Sequence, residues 1–253
     1  MNNNLITSDK NPIIKSAAKL LQKKYRYEQN LFLCESEKAV FDVLSSDRVV
    51  TRTVFCDINK AEDYAYITDL AEQVYYIAEN CMKKLSDLKT PPGIVSVCKI
   101  PKLRDIADIR GGRYVFLEKT SDSGNMGAII RCANAMGIDG IIITPDCADV
   151  FSPRVIRASM ASVLFTDIYL SDSLPDGFAA YATVIDEGAV DVREVNWADN
   201  AILCIGNESR GLSPELCEIC EHKTTIKMTG DTQSLNAAAA AAIIIWEMQR
   251  EHG

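Results

Sequence analysis

The chain has 253 residues, of which 47% are apolar and 25% charged, a composition typical of a globular protein with room for two modest domains. It contains no apolar run of about 18 residues, so we expect no membrane-spanning helix. The N-terminal segment lacks the apolar stretch of a secretion signal. The net charge of −8 argues at first against a nucleic-acid partner.

The nine cysteines are predicted to be free thiols, because a chain without a secretion signal is expected in the reducing cytoplasm. The tightest cluster is Cys217, Cys220 and His222, whose CxxC spacing is compatible with zinc. Structural zinc normally needs four ligands and no second pair lies nearby. The sequence therefore favours a short helix with two half-buried thiols, and we expect no metal.

The charge is unevenly distributed along the chain. Residues 1–110 hold 17 basic and 15 acidic residues, whereas residues 111–253 hold 10 and 20. The first 26 residues have a single acid, Asp9, against Lys10, Lys15, Lys19, Lys23, Lys24 and Arg26. This basic run is compatible with a surface that meets a phosphate backbone and equally with a solvated helix face.

The first hundred residues alternate between helical and strand patterns. Apolar residues recur at helical spacing from Ile13 to Tyr25, after an Asn11-Pro12 helix start. The pattern then predicts strands at 31–35, 50–56, 73–77 and 91–99, and helices at 36–45, 61–71 and 79–86. This is the order of a small α/β domain.

Residues 100–112, which end in Gly-Gly, are typical of a linker, and the alternation begins again after them. Strands are predicted at 113–117, 140–144, 165–169, 182–186, 201–205 and 223–227, and helices at 126–136, 153–160, 173–181, 213–220 and 234–250. We therefore predict two domains, residues 1–104 and residues 105–253.

Three segments of the second domain carry polar and glycine residues at the ends of predicted strands. They are SDSGNMGAIIRCANAMGIDGIII (121–143), AILCIGNESRGLS (201–213) and IKMTGDTQSLNAAAAAA (226–242). Taken singly, each is explained by a turn, a helix cap or a good helix former. Taken together, they indicate ligand-binding loops on the carboxyl edge of an α/β sheet.

These segments resemble the three signature motifs of the SpoU-type RNA 2′-O-ribose methyltransferases of the SPOUT superfamily. The resemblance covers residues 113–250, and a fourth stretch at 151–165 supplies the Arg-x-Ser of Arg157 and Ser159. Residues 1–104 resemble more weakly the family's accessory RNA-binding domain, which is similar to a small ribosomal protein. The resemblance implies an α/β fold with a deep trefoil knot, a homodimer and S-adenosylmethionine as cofactor.

The resemblance also implies which residues are catalytic. The catalytic group is Arg131, Asn125, Glu208, Ser234 and Asn236. Arg131 is expected beside the target ribose, where a guanidinium with pKa above about 12 is better suited to hold a phosphate or stabilise an oxyanion than to act as a base. Glu208 is expected to take the hydroxyl proton or to orient Arg131.

Two further sets follow from the resemblance and the basic run. The cofactor is expected to contact Gly206, Ile226, Met228, Leu235 and Asn236. RNA is expected to contact Lys15, Lys19, Lys23, Lys24, Arg26 and Arg157. The reaction needs no metal.

The sequence departs from the family pattern at four positions. Ser123 and Lys227 stand where proline is usual, and Ser36 and Ala161 stand where glycine is usual. Losing a proline frees the backbone but removes no reacting group, so these departures affect loop geometry and substrate more than the reaction.

The substrate predicted from this resemblance is RNA, with ribosomal RNA favoured because the shortest enzymes acting on transfer RNA tend to lack a globular N-terminal domain. Transfer RNA remains an alternative, as does a non-catalytic RNA-binding or ribosome-assembly protein of the same fold. A different methyltransferase fold or a nucleotide-binding P-loop protein is disfavoured, because neither glycine-rich loop is present.

Overall fold

The computed structural model describes residues 4–230 and 234–250. The chain forms two compact units, one comprising Met1–Lys102 with Asp149–Leu164 and the other Leu103–Ala148 with Phe165–Gly253. We call them the N-terminal unit and the sheet unit. The segment 149–164, which the two-domain division assigns to the second domain, clusters with the N-terminal unit. No helix in the described ranges is long and apolar enough to cross a membrane.

The N-terminal unit is built on a mixed five-stranded sheet of order β1-β4-β3-β5-β2. Its strands are β1 Leu5–Ile6, β2 Leu31–Glu35, β3 Thr51–Asp57, β4 Val74–Ile77 and β5 Ile94–Lys99, and its helices are α1 Pro12–Lys19, α2 Lys23–Gln29, α3 Glu37–Leu44, α4 Ala65–Thr68 and α5 Glu79–Leu85. A buried cluster that includes Ile14, Leu33, Phe55 and Met82 forms the core on one side of the sheet.

The predicted N-terminal helix is two helices rather than one. Asn11 caps α1 by accepting a hydrogen bond from Ile13 N at 2.8 Å, and α1 ends at Lys19. The guanidinium of Arg26 on α2 turns inward and donates to the carbonyl oxygens of Leu20 and Leu21, at 2.8 and 2.9 Å. The break exposes carbonyls that a continuous helix would satisfy, and Arg26 supplies their donors.

The sheet unit contains a seven-stranded, wholly parallel sheet of order β10-β12-β9-β11-β6-β7-β8. Its strands are β6 Arg113–Leu117, β7 Gly140–Ile143, β8 Ile168–Leu170, β9 Ala179–Thr183, β10 Val190–Asp191, β11 Ala201–Ile205 and β12 His222–Thr225. Its helices are α6 Ser123–Ala135, α8 Pro214–Ile219 and α9 Ala237–Gln249, while α7 Pro153–Ala158 belongs to the N-terminal unit. The central strand β11 pairs with β6 and β9, which brings the loops after these strands to one edge. The predicted α/β class with a parallel sheet is confirmed.

The predicted helix at 173–181 is wrong. Residues 171–178 contain a bend at 172–173 and a turn at 176–177 but no helix, Gly177 adopts φ of 82°, and β9 begins at Ala179. The alanines of β9 favour a helix by propensity, but the strand pairs on both sides with β11 and β12, and this tertiary pairing prevails.

Two of the family's glycine positions keep a glycine-like backbone. Ser36 has φ of 103° and ψ of 151°, and the buried Ala161 has φ of 64°. Such angles are strained for any residue with a Cβ, by roughly 1–3 kcal/mol. Ser36 and Ala161 are therefore held at backbone angles that suit glycine better.

Candidate active site

A cavity of about 500 Å³ opens in the sheet unit where β9, β11 and β12 end and α9 begins. This volume lies in the range of small-molecule binding sites. Its walls include residues from three loops, among them Thr183, Ile205, Gly206, Glu208, Arg210, Leu212, Thr225, Ile226, Met228, Ser234 and Leu235. The cavity therefore lies at the carboxyl edge of the sheet, where the motif positions predict ligand-binding loops.

The loop after β11 folds back tightly on itself, and Gly206 makes this possible. A Cβ at this position would lie 2.1 Å from the carbonyl carbon of Gly211 and 2.2 Å from Leu212 N. Asn207 and Gly211 exchange backbone hydrogen bonds of 3.0 and 2.9 Å, and Gly211 has φ of 69°. Only a residue without a side chain fits at 206.

Asn207 fixes this loop to its neighbour. Its side-chain nitrogen donates to Lys119 O at 2.9 Å, and its side-chain oxygen accepts from Ser209 N at 3.0 Å. Asn207 was not among the predicted site residues. Its position directly after the strand-ending Gly206 was the available signal, but an asparagine there is also typical of an ordinary turn.

Glu208 joins the first and second motifs. Its carboxylate accepts from Asp122 N at 3.2 Å, from Asn125 Nδ2 at 3.3 Å, and from the N–H and hydroxyl of Ser121, each at 3.4 Å. Burial acts to raise the pKa of Glu208, but hydrogen bonds from backbone N–H groups and from Asn125 outweigh it, so the pKa lies below its usual value. An ionised carboxylate with its oxygens so engaged organises the loop and is a poor proton acceptor.

The third motif joins the same network through Asn236. Its side-chain nitrogen donates to Asn125 Oδ1 at 2.9 Å, and its oxygen caps α9 by accepting from Ala238 N and Ala239 N. Asp122 caps α6 in the same way, accepting from Asn125 N at 2.8 Å. Three of the five predicted catalytic residues, Asn125, Glu208 and Asn236, therefore form one hydrogen-bonded chain.

The other two predicted catalytic residues stand apart from this chain. Arg131 lies six residues after Asn125 on α6, about 120° around the helix, and its exposed side chain makes no hydrogen bond or ion pair with the described residues. Ser234 is exposed and lines the cavity. Neither side chain forms a hydrogen bond or ion pair within residues 4–230 and 234–250, so both are available to a ligand or a partner.

The predicted cofactor residues meet around the cavity. Gly206, Ile226, Met228 and Leu235 all line it, whereas the side chain of Asn236 is directed to Asn125. The lining also includes residues that the sequence analysis did not select, such as Thr183, Arg210 and Cys217. Arg210 lies in the second motif and Cys217 shortly after it, whereas Thr183 belongs to β9, outside the motifs. No spacing rule distinguishes residues of the cavity wall from their neighbours before the loops are folded.

Two of the predicted RNA-binding residues need correction. Arg26 is only 3% exposed, because its guanidinium forms an ion pair with Asp149 and bonds two carbonyls. Arg157 is paired with the buried Glu35 and, at 2.7 Å, with Asp87. Both arginines hold the segment 149–164 within the N-terminal unit, so neither has a guanidinium free for phosphate. The side chains of Lys15, Lys19, Lys23 and Lys24 are exposed.

The cysteine cluster serves the packing of the sheet unit. Cys220 Sγ lies 3.7 Å from Cys204 Sγ, and the ring of His222 stacks on Tyr181 with centroids 4.6 Å apart. Within residues 4–230 and 234–250, no group of three or more side chains is arranged to hold a metal ion. All nine cysteines are free thiols.

Two family models match the chain, one along each part. The model of the SpoU rRNA Methylase family matches residues 112–246. The chain belongs to this family. The model of the MRM3-like substrate binding domain matches residues 11–96. The predicted family, its accessory domain and the class of enzyme, an RNA methyltransferase, are thereby confirmed.

Relatives of this SpoU family chain are similar to it along most of its length. It is 28% identical to the 23S rRNA (guanosine(2553)-2′-O)-methyltransferase RlmP of Bacillus subtilis, covering 96% of this chain and 98% of that protein. It is 30% identical to the 23S rRNA (uridine(2479)-2′-O)-methyltransferase of Streptomyces viridochromogenes, covering 71% and 68%. The AdoMet-bound rRNA methyltransferase from Sinorhizobium meliloti superposes with a TM-score of 0.84 at 30% identity, covering 98% of this chain and 97% of that one.

Proposed function

We propose that this protein transfers a methyl group from S-adenosylmethionine to the 2′-hydroxyl of a ribose in ribosomal RNA. The observation that carries the proposal is the hydrogen-bonded chain of Asn125, Glu208 and Asn236 beside a cavity lined by the predicted cofactor residues. The two curated relatives named above modify the 2′-oxygen of 23S rRNA, one at a guanosine and one at a uridine. Their similarity supports ribosomal RNA as the substrate class.

The residues present fit the cofactor. Apolar side chains of Ile226, Met228 and Leu235 line a cavity large enough for a nucleoside, and Gly206 keeps loop backbone at its wall. S-adenosylmethionine supplies an activated methyl group on a sulfonium, so the methyl donor needs little further activation by the protein. We propose that Gly206, Ile226, Met228, Leu235 and Asn236 hold it.

The methyl acceptor must be activated, because a ribose hydroxyl is a weak nucleophile until its proton leaves. We propose that Arg131 binds a phosphate of the target nucleotide or stabilises the developing oxyanion, and that Ser234 contacts the ribose. Glu208, whose oxygens are occupied by Ser121, Asp122 and Asn125, is proposed as the residue that positions Asn125. This role replaces proton abstraction by Glu208, and we propose that the hydroxyl proton passes to water as the methyl group is transferred.

We propose that the active protein is a homodimer. On α9, Ile243 and Trp246 are 40% and 61% exposed, which leaves a large apolar side chain facing outward on a helix whose other face is buried. A second copy would cover this apolar strip. It would also bring a further surface to the exposed Arg131, which has no partner among the described residues of its own chain.

The proposal also includes the trefoil knot, the division into two domains and the cellular location. The family resemblance supports a trefoil knot in the sheet unit, and the tight fold-back at Gly206 is compatible with one. We propose residues 1–104 as the RNA-binding part and 105–253 as the catalytic part, with 149–164 anchored in the former by Arg26 and Arg157. The free thiols are in keeping with a cytoplasmic location.

The test is methyl transfer from labelled S-adenosylmethionine to total RNA from cells that lack the gene, followed by digestion to nucleosides. We expect label in a 2′-O-methylnucleoside of ribosomal RNA, lost in Arg131→Ala and retained in Arg154→Ala. Label in transfer RNA would contradict the substrate class, and label on a base would contradict the reaction. Cofactor binding without transfer to any RNA, precursor particles included, would favour the non-catalytic alternative.

A further inference from the structure

A second concavity lies in the N-terminal unit. It measures about 340 Å³ and lies between the start of α1 and the end of α5. Its lining consists of Asp9, Lys10, Ile14, Lys15, Ala18 and Lys84. We call it the lysine groove.

The lysine groove gathers positive charge without matching acids. Its lining carries three lysines and one aspartate, and the single approach between them is Lys84 Nζ to Asp9 Oδ2 at 4.0 Å. Neither Lys10 nor Lys15 forms an ion pair with a described residue. By contrast, Lys83 and Lys38 each pair with an acid one turn away, at 2.6 and 2.9 Å.

The floor of the groove cannot balance this charge, because Ile14 is fully buried and apolar and Ala18 offers only a methyl group. Three lysines, from a turn, from α1 and from α5, therefore line one depression. Like charges repel one another when they are brought together, and a bound anion would relieve the repulsion. The volume is sufficient for a phosphodiester with part of its sugar.

We infer that the lysine groove binds a backbone phosphate of the RNA substrate; this rests on the proposed function. It adds Lys10 and Lys84, on two separate segments, to the lysines predicted from the basic run. It also replaces the broad basic surface predicted from the sequence with a defined subsite for one phosphate.

The surroundings of the groove indicate single-stranded RNA. Lys15 and Lys19 are one turn apart on α1, and Lys19 Nζ lies 5.3 Å from the centroid of the half-buried Tyr25 ring. Lys24 Nζ lies 5.8 Å from the same centroid. A row of cations beside an aromatic ring is a common arrangement for a strand whose phosphates bind lysines and whose bases stack.

The experiment is a salt titration of the affinity of the full-length protein for a labelled 12-nucleotide single-stranded RNA. We expect the triple variant Lys10→Gln, Lys15→Gln, Lys84→Gln to reduce the slope of log K against log salt by about 0.7, since the groove holds one phosphate and each phosphate contact contributes roughly 0.7. The control, Lys38→Gln, Lys60→Gln, Lys83→Gln, removes the same charge elsewhere on this unit and should leave the slope unchanged.

Three results would overturn the inference: an unchanged slope in the groove variant, an equal decrease in the control, or no binding of the RNA by the parent protein at low salt. Displacement of the RNA by a polyglutamate peptide at equal charge concentration would also count against a phosphate site. Because the titration needs no catalysis, it separates this inference from the proposed function, which the methyl-transfer assay tests.

A different observation concerns Arg210 in the large cavity of the sheet unit. It is the sole basic residue among the described residues that line this cavity, and the sole acidic one, Glu208, is engaged with the first motif. The guanidinium of Arg210 forms no ion pair with a described residue. We propose that Arg210 binds the carboxylate of the cofactor's methionine moiety, which also rests on the proposed function.

The test compares two ligands that differ in this carboxylate. S-adenosylhomocysteine carries it, and 5′-methylthioadenosine lacks the whole amino-acid end. We expect Arg210→Gln to weaken binding of the first by about tenfold in calorimetry and to leave the second unchanged. Equal loss for both ligands, or unchanged binding of both with a raised KM for RNA, would overturn the assignment.

Discussion

The two units use their charged and polar side chains in opposite ways. In the N-terminal unit the lysines are exposed, while two arginines are withdrawn into ion pairs with Asp149 and Glu35. In the sheet unit, the acid Glu208 and the asparagines Asn125 and Asn236 bind one another beside a cavity. The difference teaches that burial, rather than net charge, decides which ionic groups face a ligand.

The largest effect that we expect comes from breaking the buried ion pair of the N-terminal unit. Arg26→Met leaves Asp149, whose side chain is 6% exposed, without its cation, and it frees the carbonyls of Leu20 and Leu21. We expect the free energy of unfolding to fall by about 3–5 kcal/mol in urea titrations. Lys24→Met, which breaks an exposed pair with Glu28, is the matched control and should cost less than about 1 kcal/mol. Equal losses of unfolding free energy in the two variants would contradict the distinction between the buried and the exposed ion pair.

The next effect concerns the sheet unit and its loop. Gly206→Ala places a methyl group against the backbone of Gly211 and Leu212, so the loop must open. We expect affinity for S-adenosylhomocysteine to fall by about a hundredfold, roughly 2.7 kcal/mol, measured by calorimetry. Gly230→Ala is the control, because a Cβ there meets no atom within 4 Å. Retained affinity in Gly206→Ala would show that the fold-back does not shape the site.

A smaller, stabilising effect is expected at Ser36. Its φ of 103° and ψ of 151° suit glycine, and replacing Ser36 by glycine removes the Cβ strain at the cost of the hydroxyl that caps Ala39 N. Glycine is nearly as good a cap as serine, so we expect Ser36→Gly to raise the free energy of unfolding by about 1 kcal/mol. Ser45→Gly, at a residue with ordinary helical angles, should lower it instead. A lower free energy of unfolding in Ser36→Gly would show that the backbone at Ser36 is not strained.

The smallest effect is a pH dependence in the sheet unit. The folded-state pKa of Glu208 is lowered, so its stabilising contribution is present above the pKa of an unfolded glutamate and is lost as pH falls through the lowered value. The difference in urea midpoint between the parent and Glu208→Gln should therefore be constant near neutral pH and shrink as the pH falls through the lowered pKa of Glu208. A difference that grows on acidification would mean that the pKa is raised.

The sequence predicted the sheet unit well, because its motifs bear directly on what each loop must do. Gly206 is required by a backbone approach, and Asn236 both caps α9 and contacts Asn125, so local sequence and tertiary role coincide. Most of its strands were also placed correctly, since buried parallel strands appear as apolar runs.

In the N-terminal unit, several contacts could not be predicted from local sequence patterns. Arg26 follows Lys23 and Lys24 in the same basic run, and only the fold shows that it faces Asp149, 123 residues away. Arg157 likewise meets Glu35 through a contact that no short window contains. Lys84 is distant from the basic run in sequence, so its place beside Lys10 and Lys15 was equally hidden.

The most direct test of the account measures two affinities side by side, for the single-stranded RNA and for S-adenosylhomocysteine, in the lysine-groove variant and in Gly206→Ala. We predict that the groove variant loses affinity for RNA alone and that Gly206→Ala loses affinity for S-adenosylhomocysteine alone. Loss of both ligands in either variant, with its circular dichroism and melting temperature unchanged, would contradict the division of recognition between the two units.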